Sequence, residues 1–350
     1  MVNEDEQELT NRRVLVTGGG GYIGSVLVSE LLKAGHKVKC LDRFFFGREP
    51  LANVIPNPNL ELIKDDIRWF DPKILKNVDI VMDLAALSND PAGDLDPSKT
   101  FDINYLGRIR VARLSKVYGI KTYILASSCS LYGFQNGLID ENSEINPLTA
   151  YAKANCKAEQ DILPLADSNF TVSSLRFATV YGYSGRMRFD LAINAMVLGL
   201  FKSPMIPVMR EGDQWRPFIH IKDVAAAYML LMMQPPDKIN SEVFNVGSDE
   251  QNYQILPLAD LIGQSLGIPY QIEWYGGGDF RSYKVSFKKF KNLVNFKPAY
   301  TPKEGSLEIL EALKTGKLQE SLKTKTAEWY KYLIDSFKLI SDVTIRDTIL

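Results

Sequence analysis

The chain has little cysteine, little histidine and no excess of charge of either sign. Its three cysteines, Cys40, Cys129 and Cys156, show neither metal-binding nor disulfide spacing, and no metal site is expected. The two histidines have ordinary structural readings, His36 in a helix–strand turn and His220 in a strand. Neither lies near Cys129 in sequence, so that cysteine reads as a small filler rather than a nucleophile. A formal net charge of −1 gives no electrostatic case for nucleic acid or an anionic membrane surface. No apolar run approaches the roughly 20 residues that a membrane span needs. The first ten residues, "MVNEDEQELT", lack the basic and apolar regions of a secretion signal. A soluble cytoplasmic protein is expected by elimination. Internal repeats and low-complexity linkers are also missing.

What is present is a large apolar complement, 45% of 350 residues, more than one typical domain needs for its core. "RRVLVTG" is a short β-branched run ending in glycine, and "YIGSVLVSELLKAG" follows it with apolar residues at helical spacing. "KVKCLD", "LELIKDD", "VDIVMDLAA", "KTYILASS" and "FTVSSLRFATVYG" read as further strands. "FDINYLGRIRVARLSKVYG" and the stretch from Tyr151 to about Leu165 read as helices between them. Such alternation argues for a parallel sheet covered on both faces. Beyond Gly182 the rhythm changes. "RMRFDLAINAMVLGLF" and "KDVAAAYMLLMM" are expected helices, "SPMIPV" and "RPFIHI" short strands, and "EVFNVG" a late return to the sheet. A final amphipathic helix, "TKTAEWYKYLIDSFKLI", places Tyr330, Ile334 and Phe337 on one face. The expected fold is α/β: a Rossmann-type doubly wound parallel sheet with a smaller, discontinuous α/β substrate lobe. The sheet domain spans residues 10–182 with 218–248 returning to it; the lobe takes 183–217 and 249–350, with a ligand between them.

"TGGGGYIG" sets Gly18, Gly21 and Gly24 directly between a strand and a helix. Glycine there allows a tight turn and close backbone approach to a pyrophosphate, which then faces the helix N-terminus. Asp42 closes the second strand about 20 residues later, the place from which a carboxylate holds ribose hydroxyls and repels a 2′-phosphate. NAD is therefore expected over NADP. Arg43, next in sequence, is a contact candidate that would suit a 2′-phosphate, with a solvated loop side chain as the plainer reading. "FFF" at 44–46 reads as a packed loop or an interface element.

With these pieces in place the chain resembles the extended short-chain dehydrogenase/reductase family, in particular its nucleotide-sugar epimerases and dehydratases. The resemblance covers nearly the whole chain. "TGGGGYIG" matches the family's glycine loop, with Tyr22 and Ile23 inside it. "DDI", containing Asp66 and Ile67, matches the segment that contacts adenine. "LAA" (Leu84, Ala85, Ala86) matches the strand end lining the cofactor, and Asn104 a structural asparagine that the resemblance also places among the cofactor-binding residues. "SSCSLYG" matches the catalytic-serine strand, and "LRFATVYG" and "QWRPFIHIKDVA" the sugar-nucleotide lobe. The resemblance implies a nucleotide-diphosphate sugar as partner, and a homodimer joined through the Asn104 and Tyr151 helices.

One further absence concerns the chemistry. The resemblance implies that Tyr151 is the base taking a proton from a sugar hydroxyl, usually at C4, while hydride moves to the nicotinamide and Ser128 steers the same oxygen. Glu159, eight residues on, fixes the register, so Asn155 stands where a lysine belongs. An unperturbed tyrosine has a pKa of about 10, and the lysine's charge would favour its phenolate. Lys153 cannot substitute, since plus two on a helix lies roughly 200° away whereas plus four lies roughly 40° away. Asn155 can still hydrogen-bond a ribose hydroxyl. The resemblance also implies diphosphate contacts from Arg216 and Arg281, whose planar forks suit phosphate. Arg188, with Arg186, adds possible contacts or surface salt bridges. Thr179 stands where many relatives carry Asn. The Asp-Glu pair that 4,6-dehydratases place after the catalytic Ser/Thr is missing, replaced by Cys129 and Ser130. Epimerisation is the leading expectation. A net dehydrogenase or ketoreductase needs the same groups, and a non-catalytic NAD-binding regulator is the reading from a different class.

Overall fold

The computed structural model describes residues 11–346 and 348. The acidic N-terminal decapeptide lies outside the described residues. Seven parallel strands form the central sheet. In spatial order these are Glu242–Val246, Thr171–Phe177, β5 (Thr122–Ser128), β4 (Ile80–Asp83), β1 (Arg13–Thr17), β2 (Lys37–Asp42) and β3 (Leu60–Lys64). The order reverses beside β1, where a doubly wound sheet opens a crevice at its carboxyl edge. Both faces are covered, so the strands are apolar almost throughout. Val14 and Val16 pack into one buried cluster with the helices Tyr22–Lys33 and Ile221–Leu231. Leu15, between them, points into the opposite cluster with Val111, Ala158 and Ile162. Each fully buried aliphatic side chain contributes about 1.5–3 kcal/mol. A third cluster gathers Met196, Phe218, Leu258 and Ile309 together with Tyr22 and Tyr181. No helix among the described residues is long and apolar enough to cross a membrane.

Several elements depart from the sequence reading. "FTVSSLRFATVYG" divides at Ala178: Thr171–Phe177 stays in the main sheet, while Thr179–Tyr181 pairs with Trp215–His220 in a separate three-stranded sheet. That switch carries Thr179 across the mouth of the crevice. The helix expected from Arg186 begins only at Ala192. In the bends and turn that stand in place of its first turns, Arg188 pairs with Asp190 and reaches the Ser88 carbonyl. The Asn104 helix is helical in three pieces, Pro97–Phe101, a wide π turn at Asp102–Gly107, and Arg108–Val117. π turns of this kind re-aim side chains and are frequent at functional sites. In the C-terminal helix (Thr326–Val343), Tyr330 packs on Phe45 and Phe46, but Ile334 and Phe337 are 43% and 72% exposed. The single apolar face expected there is buried only at its first turns. Two short parallel pairings add to this: Phe134–Ile139 with Ser282–Val285, neither of them read as a strand from sequence, and Met205–Met209, the strand expected at "SPMIPV", with Gln271–Tyr275.

Candidate functional site

The carboxyl ends of β1, β2, β4 and β5 open into one cleft of about 780 Å³ that continues under the lobe. At its floor Gly18 has φ +68°, and a Cβ there would meet the Ala85 backbone at 2.9 Å. A Cβ on Gly24 would lie 2.1 Å from the Gly18 carbonyl oxygen. Only glycine fits either place, so the strand–turn–helix approach is as tight as a phosphate cradle requires. Gly21, Tyr22 and Ile23 line the same floor. The Tyr22 hydroxyl donates to the Gly182 carbonyl at 2.7 Å, which ties the loop to the segment carrying Arg186 and Arg188.

Asp42 sits where β2 ends, its oxygens accepting from Gly20 N at 3.0 Å and Phe44 N at 2.6 Å. Burial pushes its carboxyl up, against the pull of those two amides and the nearby Arg186 guanidinium. Hydroxyl donors arriving at this carboxylate would relieve that burial. Arg43 turns onto Asp66, 3.1 Å away, and lies over the Phe45 ring. Asp66 also takes both arms of Arg68, and the arginines hold it below the usual carboxylate range despite burial. Ile67 and the stretch Leu84–Ala86 line the cleft, the amides of Leu84 and Ala85 both donating to Thr17 Oγ1 at 3.1 Å.

Asn104 is a correction. Expected among the cofactor contacts, it does not line the cleft; it is fully buried and spends its amide on both backbone groups of Leu87. It braces the loop after β4.

Ser128 ends β5, and Tyr151 lies in the first turn of the helix Ala150–Ile162, capped by Thr149. Both line the cleft. Burial raises the Tyr151 pKa, as does Asp90; the Arg108 guanidinium, a hydrogen bond with Ser128, and Arg188 act in the opposite direction. Asn155 borders the cleft with its amide committed: Oδ1 accepts from Arg108 Nη1 at 2.8 Å, and Nδ2 donates to the Tyr151 carbonyl at 3.1 Å. Glu159 is not part of the cleft lining; it forms a buried pair with Arg176 at 2.6 Å. The Cys129 thiol is buried beside the Arg176 carbonyl, and burial pushes its pKa up, which makes it inert.

At the lobe end, Asp279 lies between the two predicted diphosphate arginines. Arg216 Nη2 reaches it at 2.7 Å, and Arg281 holds it through Nε at 2.8 Å and Nη2 at 2.7 Å. Arg281 also pairs with Asp90. Thr179 lines this region, and Arg188 reaches it already paired with Asp190. Arg186 differs. It is buried, its Nη2 donates to Thr326 Oγ1 at 2.9 Å, and its Nε and Nη1 have no partner among the described residues. Burial and Arg188 lower its pKa to about 10, so it stays cationic near neutrality. A buried cation with open donors beside Asp42 and the glycine loop suits an anionic dinucleotide.

Sequence reasoning missed Arg108, Asp83, Asp90 and Asp279. Two signals were available: Arg108 follows Asn104 by one helical turn, and Asp279 precedes Arg281 by two residues.

A family model described as "NAD dependent epimerase/dehydratase family" matches residues 14–247. A UDP-glucose 4-epimerase of Lactobacillus helveticus is 28% identical over 311 residues, covering 82% of this chain and 92% of that one. A UDP-glucuronic acid decarboxylase 1 of Xenopus tropicalis is 27% identical over 310 residues, covering 85% of this chain and 71% of that one. Among solved structures, MoeE5 in complex with UDP-glucuronic acid and NAD superposes with a TM-score of 0.76 at 26% identity, over 87% of this chain and 99% of that one.

Proposed function

The chain belongs to the NAD-dependent epimerase/dehydratase family, and from that premise we propose that it is an NAD-dependent nucleotide-sugar epimerase that oxidises a sugar hydroxyl, at C4, to a ketone. The observation that carries this reading is one continuous cleft. It runs from the Gly18–Gly24 loop and Asp42, past Ser128 and Tyr151, to Arg216 and Arg281. A dinucleotide at one end and a nucleotide diphosphate at the other would meet at the Ser128–Tyr151 pair. Gly18, Gly24 and Arg186 would hold the cofactor phosphates, and Asp42 the adenosine ribose. NAD, when bound, supplies the hydride acceptor and donor.

The remaining work falls to this chain's own side chains. Ser128 Oγ holds the sugar hydroxyl oxygen. Tyr151 Oη, as phenolate, takes that hydroxyl's proton as the C–H bond is oxidised, and returns a proton to the same oxygen when the ketone is reduced. Epimerisation then requires only that the ketone present its other face. Where dehydratases carry an acid pair, this chain has the buried Cys129 thiol and the buried Ser130 hydroxyl. Neither can manage the proton shifts of water loss.

The test is turnover of UDP-, GDP-, CDP- and dTDP-sugars with mass and stereochemical analysis of the product. An epimerase leaves the mass unchanged; loss of water or carbon dioxide would replace this reading with dehydratase or decarboxylase chemistry. Tyr151→Phe should stop conversion while NAD remains bound, and full conversion by that variant would remove Tyr151 as the base.

A further inference from the structure

A phenol that accepts protons near neutral pH needs positive charge close to it. On the Tyr151 helix, Asn155 is neutral and Lys153 points elsewhere. The charged groups facing Tyr151 come from three other elements. Asp90, from the short helix Asp90–Gly93 packed against the Tyr151 backbone, opposes the phenolate. Arg188, from the segment before Ala192, favours it, but Asp190 grips that guanidinium through both Nε and Nη2. Arg108 comes from the neighbouring helix and also favours it.

Arg108 is 1% exposed and fixed at every nitrogen. Nε donates to Asp83 Oδ2 at 3.1 Å, Nη2 to the Asp83 and Ala126 carbonyls, and Nη1 to Asn155 Oδ1 at 2.8 Å. A buried ion pair is seldom a net source of stability, and apolar residues of similar volume commonly replace one without loss. The arm that extends past Asp83 to Asn155 adds nothing to the Asp83 pair. It does bring the cation to the residue one turn from Tyr151, on the same helix face. Asp83 is meanwhile bound by the Tyr123 hydroxyl at 2.5 Å and by Thr17, so its charge is shared among three donors. We propose that Arg108 is the positioning cation of the Tyr151 base, bringing through Asn155 the positive charge that residue 155 itself lacks. This rests on Tyr151 being the proton acceptor of the proposed reaction.

The test reads Tyr151 directly, as ultraviolet tyrosinate absorbance of the NAD-loaded protein against pH, with the matching Tyr151→Phe protein subtracted. Arg108→Met combined with Asp83→Asn removes both buried charges and leaves no lone carboxylate. The Tyr151 titration should then move up, by less than the roughly 1–3 pH units of a single adjacent charge, because the loss of Asp83 acts in the other direction. Adding Asn155→Lys should bring it back, and Arg108→Lys alone should hold it near the wild-type position. A folded, NAD-binding double variant that titrates like the wild type overturns the proposal. Should that variant fail to fold, Asp83→Asn alone decides: removing the counter-charge should lower the titration, and an unchanged or raised one overturns the proposal. A wild-type protein that converts no nucleotide sugar would sink the functional reading only, because the titration still reports whether Arg108 tunes Tyr151.

Discussion

Replacing Arg216 by alanine tests the substrate end of the cleft. Arg216 spends Nη1 on the Trp215 and Arg281 carbonyls and one Nη2 hydrogen on Asp279. That leaves its Nε hydrogen and a second Nη2 hydrogen open among the described residues. Hydrogen bonds to a charged partner contribute about 1.5–3 kcal/mol each. Two of them to a diphosphate would give about 3–6 kcal/mol in isolation. The site discounts this heavily, because Arg216 and Arg281 are matched by Asp279 and Asp90 and the four charges sum to zero. A loss near the lower bound of one bond, about 1.4 kcal/mol or tenfold in Kd, is the least expected; roughly a hundredfold is the central expectation. Calorimetric titration of UDP into wild-type and Arg216→Ala protein measures it. The same charge count sets a second arm. Asp279→Asn leaves the four side chains at net +1, so UDP should bind at least as tightly and with a steeper dependence on salt. Wild-type UDP affinity in Arg216→Ala would refute the assignment of this corner to a diphosphate.

Three other outcomes are expected. Asp42→Ala should weaken NAD by roughly tenfold and narrow its advantage over NADP, read by fluorescence titration with each cofactor; equal affinity of the wild type for both would undo the role given to Asp42. Gly24→Ala forces a Cβ to within 2.1 Å of the Gly18 carbonyl oxygen, so the loop must shift and NAD binding should be lost even where the thermal transition survives; undiminished NAD affinity would contradict the cradle. Glu308 is held down to about 2 by His220 and Lys222, against a burial effect in the other direction. A depressed carboxylate stabilises above its unfolded pKa, near 4.5, and loses that stabilisation as pH falls toward 2. Thermal unfolding of the wild type should therefore decline across that window, and Glu308→Gln should be less stable at neutral pH with a shallower acid decline; parallel curves would contradict the pairing.

The main sheet was readable because each strand is a short apolar run buried on both faces, and each intervening helix repeats at its own period. Val14, Leu15 and Val16 face alternate clusters, yet all are apolar, and that is the mark of a covered parallel strand. The short strands outside the main sheet were less readable because tertiary partners decide them. Phe134–Ile139 contains two exposed large apolar residues, Phe134 and Leu138, and gains its strand form from pairing with Ser282–Val285 some 150 residues away. The start of the Ala192 helix was misread for a related reason. "RMRFDL" has helical spacing, but its charged side chains find partners in the cleft that outweigh local propensity.

At the candidate site, the residues that were legible are those whose chemistry is local. Gly18 and Gly24 are dictated by backbone clearance within one turn, and Asp42 by the end of a strand. What stayed hidden is reciprocal. Asp279 has meaning only beside Arg216 and Arg281, and Arg108 only beside Asp83 and Asn155. From sequence alone, Asn155 reads as the loss of a charge from the Tyr151 helix. In three dimensions it is an acceptor for a guanidinium that arrives from the next helix, placed by the π turn that precedes it. A neutral residue in that position therefore does not mean a neutral site. The charge near a buried base belongs to the whole shell of groups around it, and a single helix register reports only one of them.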